Sequence, residues 1–324
     1  MGEEQRWKDH HLYQSYVSSS QLLVFACIES SSDETDITTV QAASAADVDT
    51  AVAAARKAFK DPSWRDLSPT DRGNMMIKLS DLVKEHAETL ATIETWDNGK
   101  VYTDSLNGDL AEVEGTLRYY GGYADKIHGQ TIDTGPAKFA YTIREPVGVC
   151  GQIIPWNYPL AMAAWKLGPA LACGNTVVIK AAEQTPLSIL YFANLIKEAG
   201  FPPGVVNVLN GYGREAGAAL ATHLDIDKIA FTGSTGTGKE IMKMAAVNMK
   251  NITLETGGKS PLLVFDDADI DQAVKWAHIG ILLHLVCLWV TNFQRYHVQS
   301  RPNMYRYFQN PSPRISLRQV HRGF

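Results

Sequence analysis

Val147-Gly148-Val149-Cys150-Gly151-Gln152-Ile153-Ile154 is a short, nearly continuous apolar run, and the segments on its C-terminal side decide the fold. A helical stretch over 160–172 leads to a second run, Thr176-Val177-Val178-Ile179-Lys180, and a helix over 187–199 leads to a third at 205–209. The alternation continues with a short helix over 213–222, a strand over 228–232 and a helix over 239–249. Strands that are apolar throughout must be buried on both faces, and parallel neighbours need helical crossovers between them. The pattern predicts an α/β fold built on a Rossmann-like, doubly wound, mostly parallel sheet.

Towards the N-terminus the period becomes helical. Val48, Val52, Ala55 and Phe59 share one face of a helix over 47–59, with Ser44 as its cap. Helical pattern runs on over 71–96, breaks at Gly99, and resumes over 106–127 before Gly129. Phe139-Ala140-Tyr141-Thr142-Ile143 alternates as a strand does.

Composition bounds the function. A chain of 324 residues with 45% hydrophobic and 20% charged residues is globular in type, and a net charge of -5 with interspersed signs offers no stripe for nucleic acid. Cys27, Cys150, Cys173 and Cys287 lie far apart without a CxxC pair, which argues against zinc or a disulfide framework and for a reducing, cytoplasmic setting. The apolar runs at 21–28 and 279–290 fall short of the roughly 20 residues of a membrane span, so no membrane partner is expected. No convincing small-residue cleavage site succeeds the first run, and His10-His11 lacks spaced partners for a metal.

Two glycine-rich segments carry the chemistry. Phe231-Thr232-Gly233-Ser234-Thr235-Gly236-Thr237-Gly238-Lys239 reads as a strand turning into a helix, which suits a dinucleotide pyrophosphate at the helix N-terminus. It also nearly spells a phosphate-binding P-loop, but Glu240 stands where that loop needs Ser or Thr for magnesium. Leu254-Glu255-Thr256-Gly257-Gly258-Lys259-Ser260-Pro261 sets a carboxylate in a glycine-flanked turn, either a catalytic base or a plain surface turn.

Taken in order and spacing, Ile154-Pro155-Trp156-Asn157-Tyr158-Pro159, the 174–180 segment Gly174-Asn175-Thr176-Val177-Val178-Ile179-Lys180 with Glu183, and the 231–239 and 254–261 segments resemble the NAD(P)-dependent aldehyde dehydrogenases. The resemblance covers about 37–281. It implies oxidation of an aldehyde to a carboxylic acid through a cysteine thiohemiacetal and thioester, with hydride passing to the nicotinamide. On this reading Asn157 is the oxyanion donor and Glu255 the general base, its pKa raised by a partly apolar setting. Lys180 and Glu183 hold the adenosine ribose, and Glu183 favours NAD, with NADP as the alternative. Ile153, Ile154, Pro155, Trp156, Gly213, Phe231, Thr232, Gly233, Ser234, Gly238 and Gly257 complete the cofactor site, with Ser234 donating to the pyrophosphate. Ala181 departs from the proline many relatives carry there.

The resemblance divides the chain into an atypical segment over 1–36 and an NAD-binding domain over 37–256, with an oligomerisation-arm strand at 139–145. Beyond these lie the start of an incomplete catalytic domain over 257–281 and an aberrant, disordered tail over 282–324. The family's spacing from Glu255 puts the nucleophile at Trp289, while Cys287 sits in an apolar stretch. Any codons for Met304-Tyr305 spell a cysteine codon one base later, so the 299–324 region reads as out-of-frame sequence after an insertion over 282–296. The chain is thus expected to be a C-terminally truncated or frameshifted member that has lost turnover. Homo-oligomerisation, usual in the family, is doubtful for it, and a mitochondrial compartment is left open. The other readings are a non-catalytic NAD-binding or subunit-interacting protein, and a P-loop NTPase.

Overall fold

The structure, a computed structural model, describes residues 24–29, 36–258, 263–265 and 267–282, with side chains for 36–258, 263–265 and 267–277. It divides into two compact units, Met1–Gly257 and Gly258–Phe324. Trp289, Cys287, Met304, Lys259-Ser260-Pro261 and His10-His11 lie outside the described residues, as do the 282–296 insertion beyond Leu282 and the rest of the tail.

The first unit opens with β1 (Val24–Glu29), a strand that the sequence pattern does not announce, paired antiparallel with β2 (Asp36–Ala42). Helix α1 (Ala45–Lys60) starts at Ser44, whose hydroxyl accepts from the Asp47 N–H while the Asp47 carboxylate accepts from the Ser44 N–H. That reciprocal box satisfies two groups that a helix start leaves bare. The short α2 (Pro62–Arg65) inserts Trp64, only 1% exposed, whose indole N–H donates to the Gly174 carbonyl at 3.0 Å.

The helical pattern over 71–96 proves to be two helices, α3 (Pro69–Glu85) and α4 (Ala87–Asn98), broken at His86. Its imidazole shares a 2.8 Å hydrogen bond with the Tyr191 hydroxyl, a contact across 105 residues that no local pattern announces. Helix α4 ends on Gly99, which takes the left-handed φ of 76° that favours glycine. The stretch expected at 106–127 begins as α5 (Tyr102–Asp104), passes through a π-helical turn at Ser105–Asp109 and becomes α6 (Leu110–Tyr123). Only Ala140–Tyr141 (β4) of the expected 139–143 strand pairs, antiparallel with β3 (Thr131–Ile132).

The sheet is then built as β5 (Val149–Ile153), α7 (Pro159–Ala172), β6 (Thr176–Lys180), α8 (Leu187–Ala199) and β7 (Val206–Leu209). After a π turn at Gly213–Gly217 come α9 (Ala218–Thr222), β8 (Lys228–Gly233), α10 (Thr235–Ala245) and β9 (Asn251–Thr256). Strand order is β7-β6-β5-β8-β9 with every pair parallel, so the doubly wound α/β expectation holds. Two details differ. The helix expected at 239–249 begins at Thr235, because Ser234 caps it and two glycines disguise its first turn. Glu255 lies inside β9 rather than in a turn, since Asn251–Thr256 finds a parallel partner in β8.

The pleat explains why β5 and β6 are largely apolar on both faces. Val149 and Ile153 of β5 and Val178 of β6 pack on one side with Val48, Val52 and Ala55 of α1, Leu220 of α9 and Ile241 of α10. Cys150, Ile154, Val177 and Ile179 pack on the other with Leu167 of α7, Phe192 of α8, Met76 of α3 and Leu117 of α6. Alternate residues of one strand thus enter different cores, which demands apolar residues at both.

The described part of the second unit centres on α11 (Ile270–Leu282), capped by Asp269, whose carboxylate accepts from the Gln272 N–H at 3.0 Å. Among the described residues no helix is long and apolar enough to cross a membrane, and no His, Cys, Asp and Glu group is suited to a metal ion.

Candidate functional site

From β5 the chain winds outward through β6 and β7, then returns to place β8 on the opposite flank of β5. The carboxyl ends of β5 and β8 therefore bound a crevice at the point where strand order reverses, the usual ligand position of such sheets. Register decides which side chains meet there. Ile153 pairs with Lys180 on one side and Phe231 on the other, Phe231 pairs with Leu254, and one step further Thr232 pairs with Glu255 and Gly233 with Thr256. Residues from separate motifs, Ile153, Lys180, Phe231, Thr232, Gly233 and Glu255, thus fall along one edge of the sheet.

Lys180 closes β6 and is 2% exposed. Its ammonium donates to the Ala181 carbonyl at 2.7 Å and to Glu183 Oε2 at 3.1 Å, so one of its three N–H donors remains for a further acceptor. Burial pulls its pKa down, and the Glu183 carboxylate opposes that shift. The π turn opened by Gly213 brings Gly217 against the Lys180 stem, with 3.7 Å between a virtual Cβ there and Lys180 Cδ.

At the β8 end, Ser234 caps the helix that follows. Its hydroxyl oxygen accepts from the Thr237 N–H at 3.1 Å, and its proton goes to Thr237 Oγ1 at 2.8 Å. The hydroxyl is the cap of α10, and its own donor is engaged. The backbone N–H groups of Thr235 and Gly236 have no acceptor within a helix that starts there, so the anion-binding capacity rests on them. Residues 235–238 are already helical, which leaves no loop long enough to wrap a triphosphate; Glu240 is paired with Lys243 at 2.8 Å. The P-loop reading fails on that geometry. Gly238 is buried where α10 approaches β9, a virtual Cβ lying 3.1 Å from Thr256 Cγ2, whereas Gly257 is exposed with nothing close by.

Asn157 sits in the segment between β5 and α7 with Ile154, Pro155 and Trp156, and its side-chain Oδ1 is buried without a hydrogen-bond partner among the described residues. A buried group of this kind costs free energy unless a ligand or water meets it. Beneath the segment lies a polar cluster that the sequence motifs do not reveal. Glu94 Oε1 accepts from the Leu160 N–H at 3.2 Å, Asp97 Oδ2 accepts from the Leu187 N–H at 2.7 Å, and buried Lys100 pairs with Asp109 while lying 3.8 Å over the Tyr158 ring.

Burial raises the Glu94 carboxyl to about 7, against the Lys100 charge and with the Asp109 charge reinforcing it. Burial raises Asp97 to about 8, opposed by the Leu187 N–H and reinforced by Glu94. A carboxyl whose folded pKa exceeds its unfolded value is protonated in the fold and ionised in the open chain between the two. The folded state then binds more protons, and stability falls as pH rises through that window. Melting temperature measured from about pH 5 to 8 is expected to decline more steeply for the native chain than for Glu94→Gln, at most by roughly 1.4 kcal/mol per pH unit. Parallel profiles would show that Glu94 does not titrate in this range.

Glu255 is exposed, so the described residues do not supply the apolar setting expected for it. Its electrostatic neighbour is Lys166 of α7, whose ammonium donates to Thr232 Oγ1 at 2.7 Å. Burial pulls Lys166 down, and the Glu255 charge offsets it. Lys166 was legible in principle as the lone charge in an otherwise apolar helix. Of the described cysteines, burial pushes the Cys150 thiol up to about 12 and raises that of Cys173. Neither is a ready thiolate.

The sequence profile of the aldehyde dehydrogenase family matches residues 16–287. An aldehyde dehydrogenase of Emericella nidulans is 61% identical over 254 residues, 78% of this chain and 51% of that protein, and one of Aspergillus niger is 62% identical over 251 residues, 77% and 50%. Among solved structures, the NAD+ complex of aldehyde dehydrogenase from Bacillus cereus superposes with a TM-score of 0.79 at 50% identity, covering 80% of this chain and 53% of that one. The chain spans about half the length of the curated relatives it matches.

Proposed function

The chain belongs to the aldehyde dehydrogenase family, and from that premise we infer that its β5–β8 crevice binds NAD and that the lineage chemistry is aldehyde oxidation. The observation that carries this reading is the buried Lys180, in register with Ile153 and carrying one free donor beside Glu183. That pair suits the adenosine ribose, and the open start of α10 suits the pyrophosphate. The residues present therefore fit the cofactor, with Gly213, Phe231 to Ser234, Gly238 and Ile153 to Trp156 forming its surroundings.

Bound NAD would supply the hydride acceptor. For the chain's own residues, the Asn157 amide would hold the substrate oxygen as charge grows on it, and Glu255 would take a proton from water. The thiolate these groups should serve has Trp289 at its expected place, so we propose NAD binding without turnover in this chain. Free Cys150 and Cys173 suit a reducing, cytoplasmic compartment. The β3–β4 hairpin leaves Phe139, Tyr141 and Ile143 exposed, an edge suited to pairing in an oligomer.

Calorimetric titration of the full chain with NAD, followed by an aldehyde oxidation assay, tests the reading. Saturable binding with no NADH produced is expected. Absence of binding overturns the cofactor assignment, and turnover abolished by Cys287→Ser overturns the account of the nucleophile.

A further inference from the structure

We propose that Asn98 is the positioning residue for the Trp156-Asn157 backbone, fixing the direction in which the Asn157 amide points. The proposal rests on the reading of Asn157 as the group that holds the substrate oxygen.

Beyond Ile154, whose N–H still donates to the Lys180 carbonyl, the segment between β5 and α7 has no strand or helix ladder to set its course. Pro155 and Pro159 fix their own φ and bias Ile154 and Tyr158 towards extended backbone. The torsions left open belong to Trp156 and Asn157. Asn98, the last residue of α4 and 3% exposed, donates from Nδ2 to the Trp156 carbonyl at 2.8 Å and to the Asn157 carbonyl at 2.9 Å. Both partners are acceptors, so only the NH2 end of the amide can face them, and its two protons match two carbonyls. The grip therefore falls on the residues that the prolines leave free.

Neighbouring groups secure the remainder. Thr185 donates to the same Trp156 carbonyl at 3.2 Å, Lys100 lies over the Tyr158 ring, and Glu94 accepts from Leu160 at the start of α7. One end of α4 and the residues just past it thus meet Trp156, Asn157, Tyr158 and Leu160 in turn. Among these contacts Asn98 is the one that touches both peptide groups flanking the Asn157 torsions.

The test uses the full chain labelled with 15N-asparagine, following the Asn157 side-chain NH2 signal, identified by its loss in Asn157→Ala. Ser80→Ala is the control, because Ser80 is fully buried and donates to the Glu114 carbonyl at 2.9 Å, away from this segment. Asn98→Ala is expected to shift or broaden the Asn157 signal and, because Trp156 belongs to the cofactor's surroundings, to weaken NAD binding about tenfold. Ser80→Ala should leave both unchanged while lowering the melting temperature. Where Asn98→Ala does not fold, Asn98→Ser, with a single donor, should move the signal less but in the same sense. An Asn157 signal indifferent to both Asn98 variants, or moved equally by Ser80→Ala, overturns the proposal. A native chain that binds no NAD while its Asn157 signal still answers to Asn98 sinks the cofactor reading and leaves the positioning role standing.

Discussion

Gly148→Ala is expected to lower the free energy of unfolding by about 3–5 kcal/mol, the sum of backbone strain and displaced hydrogen bonds. Gly148 holds a φ of 132°, a conformation L side chains rarely adopt, and a Cβ there would lie 2.0 Å from Asp227 Oδ2. That oxygen accepts from the Val149 N–H at 2.7 Å and from the Arg56 guanidinium at 2.7 Å. Asp227 also stands at the head of β8, where its N–H donates to the Val149 carbonyl and its carbonyl accepts from Asn251. Pushing the carboxylate aside therefore loosens α1, β5 and β8 together. Urea unfolding of the full chain measures the loss. Asp227→Ala should be destabilising by itself, and the double variant should fall well short of the sum, because both changes break the same contacts. A Gly148→Ala chain within about 1 kcal/mol of the native one would show that the latch does not bear on stability.

Lys180→Met is expected to weaken NAD binding by about 10- to 150-fold, the range for losing a charge-assisted hydrogen bond of about 1.5–3 kcal/mol. The ammonium is nearly fully buried, so bulk water cannot replace it, and its loss leaves the Ala181 carbonyl and Glu183 without their donor. Glu183→Gln separates recognition from simple support. The neutral amide can still accept a hydroxyl proton but no longer repels a phosphate, so NADP affinity should rise about tenfold while NAD affinity falls less. Titrating both nucleotides into each variant decides the matter. An unchanged preference in Glu183→Gln would remove Glu183 from the choice between cofactors, and unchanged NAD affinity in Lys180→Met would remove Lys180 from the site.

Much of the architecture was legible in the sequence. The runs at 147–154 and 176–180 are largely apolar on both faces because each strand feeds two cores, while 228–232 gives Ile229 and Phe231 to one core and turns Lys228 and Thr232 the other way. The boundaries that went astray have local causes. Gly236 and Gly238 hide the first turn of α10, and the break falls at His86, whose φ of -96° and ψ of 13° leave the helical range. Glu255 looked like part of a turn because two glycines succeed it within three residues, yet its partner strand claims it.

The site divides in the same way. The parallel, doubly wound sheet and the presence of Lys180, Glu183, Asn157 and Glu255 come from the sequence by itself, because alternation and short motifs are properties of neighbouring residues, whereas strand order belongs to the fold. Only the tertiary structure decided that Glu94 and Asp97 meet the backbone N–H groups of Leu160 and Leu187, and that Asn98 grips the backbone of Trp156 and Asn157. Those contacts join residues up to 90 positions apart, and a donor finds its acceptor there through packing in three dimensions, for which periodicity along the chain carries no mark.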